Sequence, residues 1–193
     1  MPDFNNPENL SDEELVKLTL VDQESFLYLM RRYEDKLGRY IKRISGLASE
    51  DIEDLVQEVF IKTYQNLNNF DQNLKFSSWI YRITHNEVIS HWRKKKARPE
   101  SVVWDTEIFL NNIAADLDIG KDVDRSILKE DMREIFGRMD IKYREVLVLK
   151  FIEEKNYQEI SDILKKPMGT VATLINRAKK QFKQKLVDSD IKL

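Results

Sequence analysis

The chain has 193 residues, of which 41% are hydrophobic and 34% are charged, and it contains no cysteine. This composition is typical of a charge-rich helical protein, and it excludes disulfides and cysteine-ligated zinc. No apolar run approaches the roughly 20 residues of a membrane helix, and the acidic N-terminal segment lacks the basic-then-apolar pattern of a signal peptide. We therefore expect a cytoplasmic protein without direct membrane insertion.

The first segments predict amphipathic helices. Ser11 followed by Glu14 is the pattern of a capping box, at the start of a short helix over residues 10–21. Apolar side chains recur at helical spacing over residues 24–44, and again over residues 50–68. On the helix at 50–68, a second stripe is expected to face solvent: Asp54, Gln57, Glu58 and Ile61.

A polar loop at residues 68–76 precedes a basic helix over residues 77–96. The loop and helix place rings and amides beside cations: Lys75, Phe76, Trp79, Tyr81, Arg82, His85, Asn86 and His91. This combination favours single-stranded nucleic acid, because bases stack on rings, amides read base edges and cations hold phosphates. For Trp79, its helical spacing with Ile83 favours a place in the core. The six-residue separation of the two histidines is poor for a shared metal.

The C-terminal part predicts a helix-turn-helix after an acidic linker at residues 99–126. Helical periodicity resumes near residue 127, and two helices span residues 157–186 around a break at 166–169. In such a motif the second helix enters the major groove of DNA. The side chains expected to face bases are Thr170, Ala172, Thr173 and Asn176, and those expected to meet phosphates are Arg177, Lys179, Lys180 and Lys183. A plain helical hairpin also fits the apolar spacing.

The distribution of charge supports two nucleic-acid surfaces. Residues 75–98 carry seven bases and one acid, and residues 163–187 carry seven bases and no acid. Acidic stretches separate these islands, which suggests two surfaces for one polyanion, although either island alone is explained as well by a solvated face. No strand is needed, so the predicted fold class is all-α, with two small helical domains at residues 22–98 and 127–187. Residues 1–21 are expected to be an N-terminal extension; if they are only a solvated extension, their deletion should not abolish function.

Two stretches resemble a known family. Residues 54–71, DLVQEVFIKTYQNLNNFD, and residues 76–96, FSSWIYRITHNEVISHWRKKK, resemble the second conserved region of bacterial sigma factors of the extracytoplasmic-function (ECF) group. Residues 143–180, YREVLVLKFIEEKNYQEISDILKKPMGTVATLINRAKK, resemble their fourth region. Both regions appear in the family's order, joined by a short linker.

The resemblance implies a subunit that binds core RNA polymerase and directs transcription initiation, reading the −35 element as duplex and the −10 element as a melted strand. The implied partners are the β′ clamp helices and β flap of core polymerase, promoter DNA and an anti-sigma factor. No Gly-rich phosphate loop, G-x-S-x-G or H-E-x-x-H motif is present, so we expect no enzyme activity, cofactor or metal site.

The resemblance also assigns residues to each surface. The residues matched to core-polymerase binding are Asp54, Leu55, Gln57, Glu58, Ile61 and Lys62. Those matched to the −10 element are Asn69, Asp71, Lys75, Phe76, Ser77, Arg82, Asn86, Arg93, Lys94 and Lys95. Those matched to the −35 element, in and just beyond the helix-turn-helix at 157–176, are Tyr157, Thr170, Ala172, Thr173, Asn176, Arg177, Lys179 and Lys180. Family members usually carry basic residues at the positions of Ala172 and Leu174. Because these residues are uncharged here, −35 binding is expected to depend more on phosphates and DNA shape.

Two other functions remain as alternatives at this point. A one-component helix-turn-helix regulator explains residues 127–186 equally well, but it leaves residues 54–96 unexplained. An enzyme acting on nucleic acid would need an acidic metal-binding cluster, and the sequence offers no convincing one.

Overall fold

The computed structural model describes residues 7–95, 135–136 and 138–188, and every regular element in those ranges is helical. The all-α prediction is therefore confirmed. The chain divides into two units, one built largely from residues 7–41 and 48–95 and the other largely from residues 138–161 and 165–188. The predicted linker and the first part of the helix expected from residue 127 lie outside the described residues.

The first unit contains four α-helices: α1 (Asp12–Thr19), α2 (Phe26–Ser45), α3 (Ser49–Gln65) and α4 (Phe76–Lys95). Gly46 takes a φ of 67° directly after α2, a backbone conformation that glycine adopts without steric cost. The buried stripe on α3 agrees with the predicted periodicity: Ile52, Leu55, Val56, Val59, Phe60 and Thr63. The helices α3 and α4 pack against each other.

The N-terminal segment forms part of this unit. Leu10, Leu15 and Val16 are buried, and the side chain of Ser11 accepts a hydrogen bond from the Glu14 amide at 3.2 Å in the predicted capping box. Residues 10–19 are therefore not a solvated extension. The apolar side of this short amphipathic helix packs into the unit, and Asp12 and Glu13 among its acids contact α2 and α4.

The second unit begins with the helical, buried residues Ile135 and Phe136. It continues through α5 (Ile141–Leu147), a π-helical turn at Val148–Ile152, α6 (Tyr157–Leu164) and α7 (Met168–Asp188). Met139, which was predicted to extend the first of these helices, lies in a bend before α5. The buried apolar side chains of α6 and α7 are Ile160, Ile163, Leu164, Val171, Ile175, Ala178 and Phe182, while Leu174 is partly exposed.

A buried arginine organises the start of the second unit. The guanidinium group of Arg144, on α5, donates from Nε to the carbonyl of Phe136 at 3.0 Å and from Nη2 to the carbonyl of Met139 at 3.2 Å. Burial lowers its pKa to about 10, so it remains charged at neutral pH. Beyond this network, the rings of Phe136 and Phe182 lie 5.0 Å apart and join the chain before α5 to α7.

Candidate nucleic-acid interface

The outer stripe of α3 is exposed as the sequence predicted. Asp54, Gln57 and Glu58 face solvent together with Ile61, whose side chain is 52% exposed. A single exposed apolar side chain is ordinary on a protein surface, whereas several that lie together mark a contact with a partner. Tyr64, one helical turn beyond Ile61, is 39% exposed and was missed, although its i+3 spacing from Ile61 indicates the same face.

Two of the residues assigned to polymerase binding make contacts within the first unit. Leu55 is buried in the core, so its assignment to a contact surface is wrong; its place in the apolar stripe of α3 is the reason. The amine of Lys62 lies 2.6 Å from Glu87 on α4 and 3.2 Å from Glu58. The hydrogen bond that Lys62 donates to Glu87 raises the pKa of Lys62, and this pair joins α3 to α4.

A cluster of aromatic rings lies below the loop at residues 66–75, which we call the L34 loop. Phe70, Phe76 and Trp79 approach one another at centroid distances of 5.2–5.8 Å, and Tyr33 from α2 meets Phe76 edge-on at 5.6 Å. The core position predicted for Trp79 is confirmed. Phe76 is fully buried, so its assignment to DNA contact is wrong: its ring packs inward at the first residue of α4.

Above these rings, the L34 loop presents polar groups. Asn69, Asp71 and Lys75 are exposed. The Asp71 carboxylate accepts from the backbone amide of Asn73 at 3.0 Å and from its side-chain amide at 2.9 Å, which shapes the tip of the loop. The exposed polar groups of the loop can hydrogen-bond to an unstacked base, while the buried rings support the loop itself.

The outer face of α4 continues this surface. Asn86 is exposed along the helix, and Arg93 and Lys94 are exposed near its end. Ser77 and Arg82 are half-buried, and burial lowers the pKa of the Arg82 guanidinium. The side chain of Lys95 lies outside the described residues.

In the second unit, a short turn between α6 and α7 positions the helix-turn-helix. Lys165 ends α6 in the left-handed conformation, with a φ of 51°. The Ser161 hydroxyl donates to the carbonyl of Lys166 at 2.6 Å, and the Thr170 amide donates to the carbonyl of Pro167 at 2.8 Å. These bonds link neighbours in the sequence, so the turn is fixed by its own residues.

The first turns of α7 present most of the predicted side chains to solvent. The exposed members of the set are Thr170, Thr173, Asn176, Arg177 and Lys180, while Ala172 and Lys179 are partly buried. The Thr173 hydroxyl donates to the carbonyl of Gly169 at 2.8 Å. Tyr157, at the start of α6, is 38% exposed.

Comparison with known proteins identifies the family. Residues 29–98 match the family described as Sigma-70 region 2, and residues 129–182 match Sigma-70, region 4. The ECF RNA polymerase sigma factor SigW of Bacillus subtilis strain 168 is 37% identical over 175 residues, which cover 86% of this chain and 91% of the relative. The ECF RNA polymerase sigma-E factor of Escherichia coli K12 is 31% identical over 187 residues, which cover 93% and 96%. The chain belongs to the ECF sigma factors.

This sigma factor is a transcription initiation factor that binds core RNA polymerase and recognises the −10 and −35 promoter elements. The alternative of a one-component regulator accounted only for region 4, whereas the family match includes region 2 as well. The fold is shared with CnrH, solved with the cytosolic domain of CnrY (TM-score 0.66, 24% identity, 93% of this chain and 98% of that chain). It is also shared with RpoE of Bartonella quintana, solved with the anti-sigma factor NepR (TM-score 0.61, 17% identity, 84% and 97%).

Two structural findings concern a possible metal site and a possible membrane-spanning helix in this sigma factor. Across residues 7–95, 135–136 and 138–188, no three His, Asp or Glu side chains come together in an arrangement that could hold a metal ion. Within the same ranges, every helix is too short or too polar to cross a membrane.

Proposed function

We propose that this sigma factor docks on core RNA polymerase through the exposed stripe of α3, reads the melted −10 strand with the L34 loop and α4, and reads the −35 duplex with α7. The observation that carries the proposal is the two-sided character of α3. Its inner stripe is buried in the core, while its outer stripe leaves Ile61 exposed beside Asp54 and Glu58. Since the inner stripe is occupied by packing, the outer stripe is available to a partner.

The polymerase contact is tested by charge reversal. Asp54→Arg with Glu58→Arg should weaken binding to core polymerase, while the free energy of unfolding changes little, because exposed substitutions usually stay within about 0.5 kcal/mol. The matched control is Glu34→Arg with Asp35→Arg, which reverses two exposed acids on α2. Affinity is measured by titrating labelled core polymerase. Equal affinity for both double variants would remove the α3 stripe from the interface.

Support for the −10 assignment comes from the exposed polar groups of the L34 loop, which lie over the buried ring cluster, and from the exposed Asn86, since amides can hydrogen-bond to the edges of unstacked bases. Support for the −35 assignment comes from the exposed first turns of α7, where Thr170 and Asn176 can reach base edges and Arg177 can reach phosphate. The short side chain of Ala172 leaves fewer long cations near bases, so phosphate contacts carry more of the −35 affinity.

We also propose an anti-sigma factor as a second partner, because RpoE of Bartonella quintana, which shares the fold, is solved with one. Its binding would regulate access to core polymerase. The protein acts in the cytoplasm, where polymerase and template are found, and it contributes recognition to initiation and no catalytic group. Competition between a candidate anti-sigma factor and core polymerase for the labelled protein tests the regulatory part.

A further inference from the structure

One long-range hydrogen bond reaches the junction between the L34 loop and α4. The backbone amide of Phe76, the first residue of α4, donates to Oε1 of Glu13 on α1 at 3.0 Å, across 63 residues of sequence. The first amides of a helix lack partners within the helix. A carboxylate satisfies such a donor and also meets the positive end of the helix dipole. Glu13 therefore fixes the backbone at the point where the loop ends.

Contacts with α2 hold the start of α1, which carries Glu13, in place. The neighbouring Asp12 accepts from Arg32 at 2.7 Å and from the Tyr33 hydroxyl. Burial, with the negative charge of Asp12, raises the pKa of Tyr33, so the hydroxyl keeps its proton and remains a donor. The ring of Tyr33 meets the ring of Phe76, so side chain and backbone of Phe76 are both held by groups from α1 and α2.

We propose that Glu13 is a positioning residue for −10 recognition. Its carboxylate holds the start of α4, and through it the L34 loop, in the conformation that receives the unstacked −10 bases. The assignment rests on the proposed role of the L34 loop. It gives α1, which lies before the residues matched to Sigma-70 region 2, a part in promoter reading.

Three variants separate the acceptor from its charge. Glu13→Ala removes the acceptor, Glu13→Gln keeps a neutral acceptor, and Glu8→Gln removes one charge from an exposed position in the same segment. Holoenzyme is titrated with single-stranded oligonucleotides that carry the best −10 sequence or its single-base variants. Glu13→Ala should weaken binding to the best sequence about fivefold, in line with the loss of a helix cap. Glu13→Ala should also reduce the difference in affinity between the best −10 oligonucleotide and its single-base variants. Glu13→Gln and Glu8→Gln should remain within about twofold of the original protein.

Other outcomes overturn the positioning role. Unchanged binding by Glu13→Ala does so, as does an equal loss on every sequence, which would indicate a merely structural effect. A uniform change shared by all three variants would indicate long-range repulsion of phosphate instead. Asn86→Ala is measured beside them: if it also leaves the ranking of sequences unchanged, the proposed −10 surface fails; if it alters the ranking and Glu13→Ala does not, only the positioning role fails.

A measurement on the unaltered protein covers the case in which Glu13→Ala does not fold. In NMR spectra, the amide signal of Phe76 should shift as the Glu13 carboxylate is protonated, because that carboxylate is its acceptor. A Phe76 signal that does not respond to protonation of Glu13 would contradict the contact and with it the proposal.

Discussion

The L34 loop and the turn before α7 position the two candidate DNA readers by different means. The L34 loop depends on distant groups: the rings of Tyr33 and Trp79 pack against those of Phe76 and Phe70, and Glu13 holds the end of the loop. The turn depends on adjacent residues: the Ser161 hydroxyl donates to the carbonyl of Lys166, and the carbonyl of Pro167 accepts from the Thr170 amide. From its own residues the L34 loop has a short 3-10 turn at Leu67–Asn69 and the bonds between Asp71 and Asn73. The distant groups act beside these at its rings and its end, whereas α7 needs only a defined start. Distant substitutions should therefore affect −10 reading and leave −35 reading unchanged.

The largest expected effect comes from the cluster of buried rings below the L34 loop. Trp79→Ala should lower the free energy of unfolding of the first unit by about 3–5 kcal/mol, the usual cost of removing a large buried ring. Phe182→Ala is its counterpart in the second unit and should cost a similar amount there. Denaturant unfolding followed by residue-resolved NMR measures both. A loss of under about 1 kcal/mol for Trp79→Ala would contradict the support assigned to the L34 loop.

The next effect concerns α1, a distant element that supports the L34 loop. The turn before α7 is held by adjacent residues instead. Leu15→Ala should lower the free energy of unfolding by about 2–4 kcal/mol, because Leu15 is fully buried. Val21→Ala, at a position 86% exposed, is the control and should stay within about 0.5 kcal/mol. Thermal unfolding compares the two. If both variants match the original protein, α1 is a solvated extension after all.

A smaller effect distinguishes anchoring from reading within α4. Arg93→Gln with Lys94→Gln should flatten the dependence of log affinity on log salt by about 1.4–1.8, since each lost phosphate contact removes roughly 0.7–0.9 from the slope. The control is Arg31→Gln with Arg39→Gln, which removes two exposed basic side chains from α2 and should leave the salt dependence unchanged. Open-complex formation at several salt concentrations gives both slopes. A change in the ranking of promoters by the α4 pair would assign it to base reading instead.

The smallest effect is a dependence on pH at the start of α1. Hydrogen bonds from the backbone and side chain of Ser11 lower the pKa of Glu14 from its usual 4.5. A lowered pKa in the folded state means that the stabilising contribution is present above the usual value and is lost as the pH falls through the lowered one. NMR titration of the Glu14 carboxyl should show the lowered pKa, and Ser11→Ala should return it toward the usual value. An unshifted titration would contradict the capping box.

The sequence predicts the local features of both regions and misses the long-range ones. The cap at Ser11, the two faces of α3 and the turn before α7 follow from spacing among neighbouring residues, which is the information that helical periodicity and capping rules carry. The assignment of Leu55 follows from motif membership, and that of Phe76 also from its ring beside basic residues; neither ground specifies the face that a side chain occupies. The bond from Phe76 to Glu13 has no signal in the sequence, because nothing local relates residues 63 positions apart.

The most direct test of two separate DNA readers uses one amide from each. Asn86→Ala and Asn176→Ala remove exposed asparagines from α4 and α7, respectively. Open-complex formation by holoenzyme is measured on promoters that vary only in the −10 element or only in the −35 element. We predict that Asn86→Ala changes the ranking of the −10 set alone and that Asn176→Ala changes the ranking of the −35 set alone. If either variant lowers every promoter equally, or reorders the other set, the division of promoter reading between the two units is contradicted.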